Sequence, residues 1–526
     1  MVPLHSMLIF FSSSIHAAIT LINLTMEKEP NSNIIPDSPE PDDSIDRDIQ
    51  QAKQQERNLL RKIDLHLVFP LWVLFVFGFL DRINLGNASV LGVVKDLDMS
   101  GTQLAVAMQV FFVPYILFDV PSNIVLRRVA PSVWISALAF LWGITSMCQG
   151  FVKHASGLIA CRFFMGLFEA GFVPGCTYLM AMFYQRHEYQ RRFSLFWVAG
   201  LVAGAFGGLL AYALNHMDGL QGYAGWRWIF IIEGLLSAVL AVPMKFILAD
   251  WPDQARFLSG REKELLRGRL ARDLVRRQPE TDGYRGISIA TMDRLDRTAC
   301  KRILSDWKIY IGSIIYLGVT VSGYATALFI PSIMASLGYS GIQSQIHSIP
   351  VWIVAAVVTL LVSVATDRLK HRYGFIMFGV FVASIGYVLL LCRPSSTVPV
   401  GVHYMAVFFV TTGTYIVQPV TLVWMANNLA GHYKRAVGLA VQVGVGNVGG
   451  IIASNVFNAD LAPQYTAGYA VSLGMMLLCG VMSSVFAWGV ATENRRRERG
   501  GRDYRLRVES ALRNMGDDDP RFRFVL

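Results

Sequence analysis

The sequence predicts an all-α membrane protein with twelve transmembrane helices, arranged as two pseudo-symmetric halves of six helices each. First, 53% of the 526 residues are hydrophobic and only 16% are charged, which is too apolar for a soluble protein of this length. Second, apolar segments of about 20 residues recur along the chain, each long enough to cross the hydrocarbon of a bilayer. Third, one succession of motifs occurs twice, about 245 residues apart. A membrane β-barrel is excluded, because the alternating strands of about ten residues that it requires are missing.

The loops between the predicted spans alternate in charge, and this alternation predicts the orientation. The spans are expected at about 66–86, 104–126, 131–152, 157–183, 193–215, 227–248, 308–333, 346–366, 373–392, 403–426, 435–457 and 468–490. The basic loops follow spans 2, 4, 8 and 10 and hold Arg127, Arg128, Arg186, Arg191, Arg192, Arg368, Lys370, Arg372, Lys434 and Arg435. The opposite loops hold few basic residues: Lys95, Lys153, Arg227 and Arg393. By the positive-inside rule both termini lie in the cytoplasm, which an even number of spans allows.

Residues 1–60 are predicted to form a disordered cytoplasmic tail, because the part after Met26, MEKEPNSNIIPDSPEPDDSIDRDIQ, is acidic and poor in apolar residues. Residues 7–24, MLIFFSSSIHAAITLINL, are apolar enough to pass as a signal-like segment. A cleaved signal peptide would place the acidic tail outside the cell and conflict with the loop charges. We therefore interpret residues 1–25 as lying upstream of the true translation start. This interpretation is preferred to the alternative that they form a thirteenth transmembrane span.

One long loop, 250–306, divides the chain into two bundles, 61–249 and 307–491. It contains SGREKELLRGRLARDLVRR (259–277), which predicts a basic amphipathic helix lying on the inner membrane surface. The C-terminal residues 492–526 contain ENRRRERGGRDYRLR (493–507) and are expected to form a basic cytoplasmic tail that anionic lipids attract.

The two bundles contain matching motifs. The sequence PGCTYLMAMFYQRHEYQRRFSLFWVAGLVAGAFGG (174–208) parallels PVTLVWMANNLAGHYKRAVGLAVQVGVGNVGG (419–450), with a proline in a span, a basic loop and a glycine-rich span. A second match joins the end of span 2 to the end of span 8. Its residues are predicted to form a gate at the cytoplasmic side: Asp119, Arg127, Arg128, Asp367 and Arg368. Parallel six-helix repeats of this kind are typical of the major facilitator fold, whose substrate site lies at the midplane between the halves.

The cores of spans 7 to 12 contain no Asp, Glu, Lys or Arg, so the charges within the membrane belong to the first bundle. Five charged residues lie in or near its spans: Asp81, Arg82, Arg162, Glu169 and Glu233. Such charges are costly in a membrane and usually mark a substrate or proton path. Structural interpretations stay open for each: an ion pair between Arg162 and Glu169, which lie two helical turns apart, an interfacial pair at the outer end of span 1, and a structural Glu233.

Three motifs resemble the fungal allantoate permease family, which belongs to the anion:cation symporters of the major facilitator superfamily. They are FLDRINLGNAS in span 1, RFFMGLFEAGFVPG in span 4 and GWRWIFIIEG at the start of span 6, and the resemblance covers roughly residues 60–495. Members of that family carry small carboxylates and vitamins. In related transporters two carboxylates bind protons and an arginine meets the substrate carboxylate. The resemblance implies these roles for Asp81 and Glu169 as proton sites and for Arg82 as a substrate ligand.

Charge competition offers a physical basis for symport. An anionic substrate that binds the arginine leaves the neighbouring carboxylate without its partner, and the carboxylate then takes up a proton. Substrate and proton therefore bind cooperatively, as symport requires. The remaining candidates for substrate binding are polar and aromatic residues of the spans, together with the arginine of span 4: Arg162, Asn447, Tyr115, Tyr324 and Gln418.

We therefore expect a proton-coupled symporter of a small organic anion, a monomer that works by alternating access in the plasma membrane. The alternatives are an exporter of an acidic secondary metabolite and a nutrient sensor that does not transport. The sequence contains no nucleophile–base pair, and its six cysteines show no zinc or disulfide spacing. We expect no enzymatic activity, no cofactor, no metal site and no nucleic-acid partner.

Overall fold

The computed structural model describes residues 43–275, 297–339, 341–369, 371–392, 399–457, 465–507 and 516–526, and every regular element in these ranges is helical. The predictions for residues 1–42, for the rest of the long loop and for 508–515 lie outside this described part. Residues up to Arg57 form a separate unit, whose described part is helical. The second unit runs from Asn58 to Leu526.

Twelve helices in the described part are long and apolar enough to cross a membrane, which confirms the predicted fold class. We name them by their position in the chain. The first half consists of α1 (Phe69–Val90), α2 (Gly101–Arg128), α3 (Pro131–Gln149), α4 (Ala155–Phe183), α5 (Glu188–Asn215) and α6 (Gly225–Ile247). The second half consists of α7 (Trp307–Ser336), α8 (Ile346–Leu369), α9 (Arg372–Leu391), α10 (Val400–Asn428), α11 (Tyr433–Val456) and α12 (Thr466–Glu498). We call the side at which α2, α4 and α6 end the loop side.

Two spans of the first half are broken helices. The helix α2 is broken at residues 110–111. The ring of Pro114 causes this break, because it clashes with the main-chain carbonyl group of Val110, four residues earlier. In α4 the break follows Glu169, and Gly171 adopts a φ of 78°, a left-handed conformation that glycine tolerates best. A Cβ at this position would also collide with the side chain of Ser122 on α2. The break therefore places Glu169 at the end of the first segment of α4.

Small residues allow the helices to approach closely within and between the halves. Inside the first half, a Cβ on Gly143 of α3 would lie 2.9 Å from the carbonyl oxygen of Gly234 on α6. Between the halves, a Cβ on Gly86 of α1 would lie 2.6 Å from the carbonyl oxygen of Leu328 on α7. The ring of Trp352 on α8 fills the space beside Gly204 on α5 in the same way. The halves therefore touch along several helix pairs, with a space left between them.

The loop helix (Gly260–Val275) attaches to the first half. Lys62, before α1, forms an ion pair of 3.0 Å with Glu262, and Arg269 forms an ion pair with Glu188 of α5. The main-chain oxygen of Arg269 also accepts a hydrogen bond of 2.9 Å from the side chain of Gln185. The position of this helix at the membrane surface stays a prediction. Its buried Arg269 is directed at protein, because Glu188, which is distant in sequence, offers a carboxylate at the loop side.

The C-terminal segment (Gly516–Leu526) attaches to the second half. The carboxylate of Asp517 forms ion pairs with Lys308 and Lys434, at the starts of α7 and α11. The main-chain nitrogen of Val525 donates to Asn428 at the end of α10, at 2.8 Å. The end of the predicted basic tail is thus packed against helix ends, where Asp517 neutralises two lysines.

Candidate functional site

A cavity lies between the two halves. It contains about 500 Å³ of empty space and is lined by α1, α2, α4 and α5 of the first half and by α7, α10 and α11 of the second. Seven aromatic rings form much of its wall, and Arg82 is the one charged lining side chain in the described part of the chain. The lining includes most residues that the sequence singled out for substrate binding: Arg82, Tyr115, Tyr324, Gln418 and Asn447.

Arg82 is held by groups from both halves. One terminal nitrogen of its guanidinium forms an ion pair with Glu169 of α4, and the other donates a hydrogen bond of 3.0 Å to the hydroxyl of Tyr324 on α7. The guanidinium also lies over the rings of Phe111 and Tyr115, at 5.2 and 5.3 Å from their centroids. These contacts fix the only charge that faces the cavity among the described residues.

The hydrogen bonds continue across the second half. The hydroxyl of Tyr324 donates to the side-chain oxygen of Asn447 on α11, whose amide nitrogen donates to the carbonyl oxygen of Val443 at 3.0 Å. Gln418 of α10 lies against Gly323, beside this chain. Glu169, Arg82, Tyr324 and Asn447 therefore form one polar chain from α4 through α1 and α7 to α11.

Asp81 faces away from the cavity. Its two carboxylate oxygens accept hydrogen bonds from Ser146 of α3 at 2.7 Å and from Ser237 of α6 at 2.9 Å. Its side chain is fully buried, and α1 continues for more than two turns beyond it. The expected position of Asp81 and Arg82 at the outer end of span 1 is thereby corrected, because the helix extends further than its apolar segment.

Arg162 does not line the cavity. One terminal nitrogen of its guanidinium lies 3.5 and 3.4 Å from the main-chain oxygens of Asp81 and Arg82 on α1. The ion pair of Glu169 is formed with Arg82 on another helix, not with Arg162 on its own helix. The structure thus forms an ion pair between α4 and α1 and not the alternative pair within α4. The two charged side chains of α4 are long enough to reach groups of α1.

Three predicted gating residues lie between the halves on the loop side. Arg127, at the end of α2, lies 3.5 Å from the ring centroid of Tyr433 on α11. Asp119 is fully buried, accepts a hydrogen bond of 3.1 Å from Asn123, and faces Gly444 of α11. The carboxylate of Asp367 interacts electrostatically with two basic residues, Arg372 of α9 and Arg191 of α5.

The other two predicted gating residues, Arg128 and Arg368, are exposed at the ends of α2 and α8. The structure therefore brings one residue of each adjacent pair, Arg127 and Asp367, toward the opposite half and leaves its neighbour at the surface.

Several cavity residues were not predicted from the sequence, among them Tyr316 and Thr320 on α7 and Trp197 on α5. A signal for the first two was present, because residues 316, 320 and 324 are spaced by four and share one face of a helix. Trp197 carries no comparable signal, since aromatic residues in spans mostly pack against neighbouring helices. In the described part of the chain, no group of three or more His, Cys, Asp or Glu could hold a metal ion.

Comparisons with known proteins agree with this architecture. Residues 71–454 match the sequence model of the Major Facilitator Superfamily. The MFS-type transporter cnsO of Penicillium expansum is 32% identical over 89% of this chain and 90% of its own length. The major facilitator-type transporter hxnP of Emericella nidulans is 30% identical over 95% of this chain and 99% of its own length. The solved structure of the proton:xylose symporter XylE, bound to 6-bromo-6-deoxy-D-glucose, superposes on this chain with a TM-score of 0.57 at 18% sequence identity. The match covers 80% of this chain and 95% of the XylE chain, and it supports the fold.

Proposed function

Because this chain belongs to the major facilitator superfamily, it is a multi-pass membrane transporter and not an enzyme, and we propose that it carries a small organic anion together with protons. Transport would proceed by alternating access, with the two halves moving about the cavity between them. The resemblance to the allantoate permease family supports an anionic substrate. We further propose that the protein works as a monomer in the plasma membrane, with both termini in the cytoplasm.

The environment of Arg82 is the observation that carries this proposal. Its guanidinium is the only charge lining the cavity in the described part, and it is shared between Glu169 and Tyr324. The Nε atom of Arg82 and the Oε2 atom of Glu169 are buried and have no hydrogen-bond partner. Buried polar atoms without partners are costly, so a carboxylate that enters the cavity gains a donor that is already in place.

Coupling follows from competition for this guanidinium. A substrate carboxylate that binds Arg82 weakens the ion pair with Glu169. The released carboxylate is buried and unpaired, and protonation removes the cost of that charge. Substrate and proton then stabilise the same state of the transporter and bind cooperatively.

The cavity wall favours a substrate with a single negative charge on a compact, partly apolar body. One guanidinium can neutralise one carboxylate, whereas a second carboxylate would find no cation among the described lining residues. The aromatic rings provide flat apolar surface, and Gln418 and Asn447 provide amide groups for polar substituents.

Uptake of labelled monocarboxylates and dicarboxylates into yeast cells that lack their own permeases tests this function, with the external pH recorded. We expect one class of monocarboxylate to accumulate and to make the medium more alkaline. Glu169→Gln should abolish accumulation against a gradient, and Arg82→Lys should weaken uptake at all pH values. The matched controls are Glu262→Gln and Arg267→Lys, which alter ion pairs outside the cavity.

Uptake without alkalinisation would contradict the proton coupling. Faster loss of a preloaded acid, with no uptake, would instead support the exporter alternative. Binding of the acid to purified protein without transport in either direction would support the sensor.

A further inference from the structure

Glu233 of α6 is a buried carboxyl that the transport cycle described above does not use. Its side chain is fully buried, and Oε2 accepts a hydrogen bond of 2.6 Å from the amide nitrogen of Asn84 on α1. The other oxygen, Oε1, has no partner, and neither has the side-chain oxygen of Asn84. The pair is thus left with two buried acceptors and no donor for either.

A proton on Glu233 resolves this shortage. A carboxylic acid both donates and accepts, and a primary amide does the same, so the two groups are complementary only when the acid is neutral. Protonated at Oε1, Glu233 gains a donor of the kind that the unpartnered oxygen of Asn84 lacks, while Oε2 still accepts from the amide nitrogen. With an ionised Glu233, both unpartnered atoms remain acceptors in a dry environment, which is costly.

The charges around Glu233 lead to the same conclusion. Five buried ionisable groups of the first half act on one another and form one cluster: Asp81, Arg82, Arg162, Glu169 and Glu233. Three carboxylates and two guanidiniums would leave one uncompensated negative charge, so the cluster is neutral when one carboxyl keeps a proton. Glu169 has Arg82 as its ion-pair partner, and Asp81 has two serine hydroxyls and the nearby Arg162. Glu233 has only the neutral amide of Asn84 and the like charge of Asp81.

The helices packed against α6 bring no further cation to Glu233. From α1 it faces the neighbourhood of Asp81 and Arg82, and from α4 the guanidinium of Arg162 lies over Phe230, at 5.9 Å from the ring centroid. Helix α3 and residues 193–215 of α5 contain no Asp, Glu, Lys or Arg. Their titratable side chains, Cys148 and Tyr212, are neutral at pH 7.

Two hydrogen bonds between the same pair of helices place Glu233 beside Asp81. The amide of Asn84 on α1 donates to Glu233 on α6. One turn earlier on α1, Asp81 accepts a hydrogen bond from Ser237, which lies one turn after Glu233 on α6.

We propose that Glu233 is a third proton-binding residue, which stores a proton as a neutral acid paired with Asn84 and passes it to Asp81 during transport. In this step the bond between the proton and Glu233 Oε1 breaks and a bond to a carboxylate oxygen of Asp81 forms. The cluster keeps its net charge, so the transfer requires no counter-ion.

Infrared difference spectroscopy of the purified full-length protein in lipid nanodiscs, in H₂O and D₂O at pH 7, tests the storage of the proton without any transport. The wild type should show the carbonyl band of a protonated carboxylic acid, and Glu233→Gln should lose it. Glu262→Gln is the matched control and should keep the band, because Glu262 pairs with Lys62 outside this cluster and its loss leaves the charge balance around Glu233 unchanged. Asn84→Ala should shift the frequency of the band, because the acid loses its amide partner. If Glu233→Gln does not fold, this shift is the test that replaces it.

A carbonyl band of equal intensity in the wild type and in Glu233→Gln, or a wild type without any such band, would overturn the proposal. The transfer to Asp81 rests on the proton coupling proposed above and is tested separately in proteoliposomes. Glu233→Gln should lose proton-driven accumulation but keep exchange of substrate at equal pH on both sides. If the wild type itself shows no proton-driven accumulation, the proposed function fails while the infrared result stands, so the two failures are distinguishable.

Discussion

Arg82 of α1 donates a hydrogen bond of 3.0 Å to the hydroxyl of Tyr324 on α7, across the boundary between the two halves. The same guanidinium is ion-paired with Glu169 inside the first half. A single side chain therefore contacts the cavity, a buried carboxylate and the opposite half at once. Any ligand that binds Arg82 alters both the charge balance of the first half and the contact between the halves.

Removing the hydroxyl of Tyr324 should weaken substrate binding. Tyr324→Phe removes the hydroxyl that holds the guanidinium of Arg82 in position at the cavity and breaks the link to Asn447. Hydrogen bonds to charged groups contribute about 1.5–3 kcal/mol, so we expect the concentration for half-maximal uptake to rise about tenfold or more. Tyr316→Phe is the control, because Tyr316 also lines the cavity but bonds neither Arg82 nor Asn447. Equal effects of the two substitutions would contradict the assignment.

Arg127 and its neighbour Arg128 provide a matched pair for the loop-side gate. Arg127 lies over the ring of Tyr433 in the opposite half, whereas Arg128 is exposed. A cation–π contact contributes about 0.5–2 kcal/mol, so Arg127→Ala should increase opening on the loop side about 2- to 30-fold. The measurement is the rate at which a membrane-impermeant thiol reagent labels Val443→Cys in the cavity from the loop side. Arg128→Ala should leave this rate unchanged, and a similar acceleration in both variants would refute the gating role of Arg127.

Gly171 should be intolerant of substitution. Its positive φ costs a residue with a side chain about 1–2 kcal/mol, and a Cβ would collide with Ser122. Gly171→Ala should therefore lower the thermal stability of the purified protein by several degrees and reduce transport, because Glu169 lies beside the break. The control is Gly474→Ala on α12, where a Cβ would meet nothing within 4 Å. Comparable loss of stability in both variants would indicate that the break in α4 is not under this constraint.

The C-terminal segment should stabilise the second half through Asp517. Replacing a partner in a buried ion pair costs about 3–5 kcal/mol, because it leaves the opposite charges uncompensated. Asp517→Asn should therefore lower the unfolding temperature clearly. Asp253→Asn, which removes an exposed pair with Arg267, should cost less than about 1 kcal/mol.

The same carboxylate predicts a dependence of stability on pH. Burial acts to raise the pKa of Asp517, but the charges of Lys308 and Lys434 outweigh it and hold the pKa below its usual range. A carboxyl with a lowered pKa stabilises the folded state above its unfolded pKa of about 3.9, and this contribution is lost as the pH falls further. Thermal unfolding between pH 3 and pH 6 should show a steeper loss of stability in the wild type than in Asp517→Asn. Parallel curves would contradict this account.

Several features of the fold follow from the sequence because they depend on local composition. The apolar length of each segment predicts a spanning helix, and the twelve helices are confirmed. The repeat of the motifs predicts two similar halves. The confinement of Asp81, Arg82, Arg162, Glu169 and Glu233 to the first half likewise follows from the residue types and the positions of the spans alone.

The pairing of these charges was decided only by the tertiary structure. Asp81 and Arg82 are adjacent in the chain, and successive residues of a helix point about 100° apart. Which one faces the cavity depends on how α1 is rotated against α3, α4 and α6, and this rotation is set by packing that no local pattern encodes. The structure turns Arg82 toward Glu169 and Tyr324 and Asp81 toward two serines. The sequence thus determined which charges lie within the membrane, while the packing of distant helices determined which of them face the cavity and which stay inside the first half.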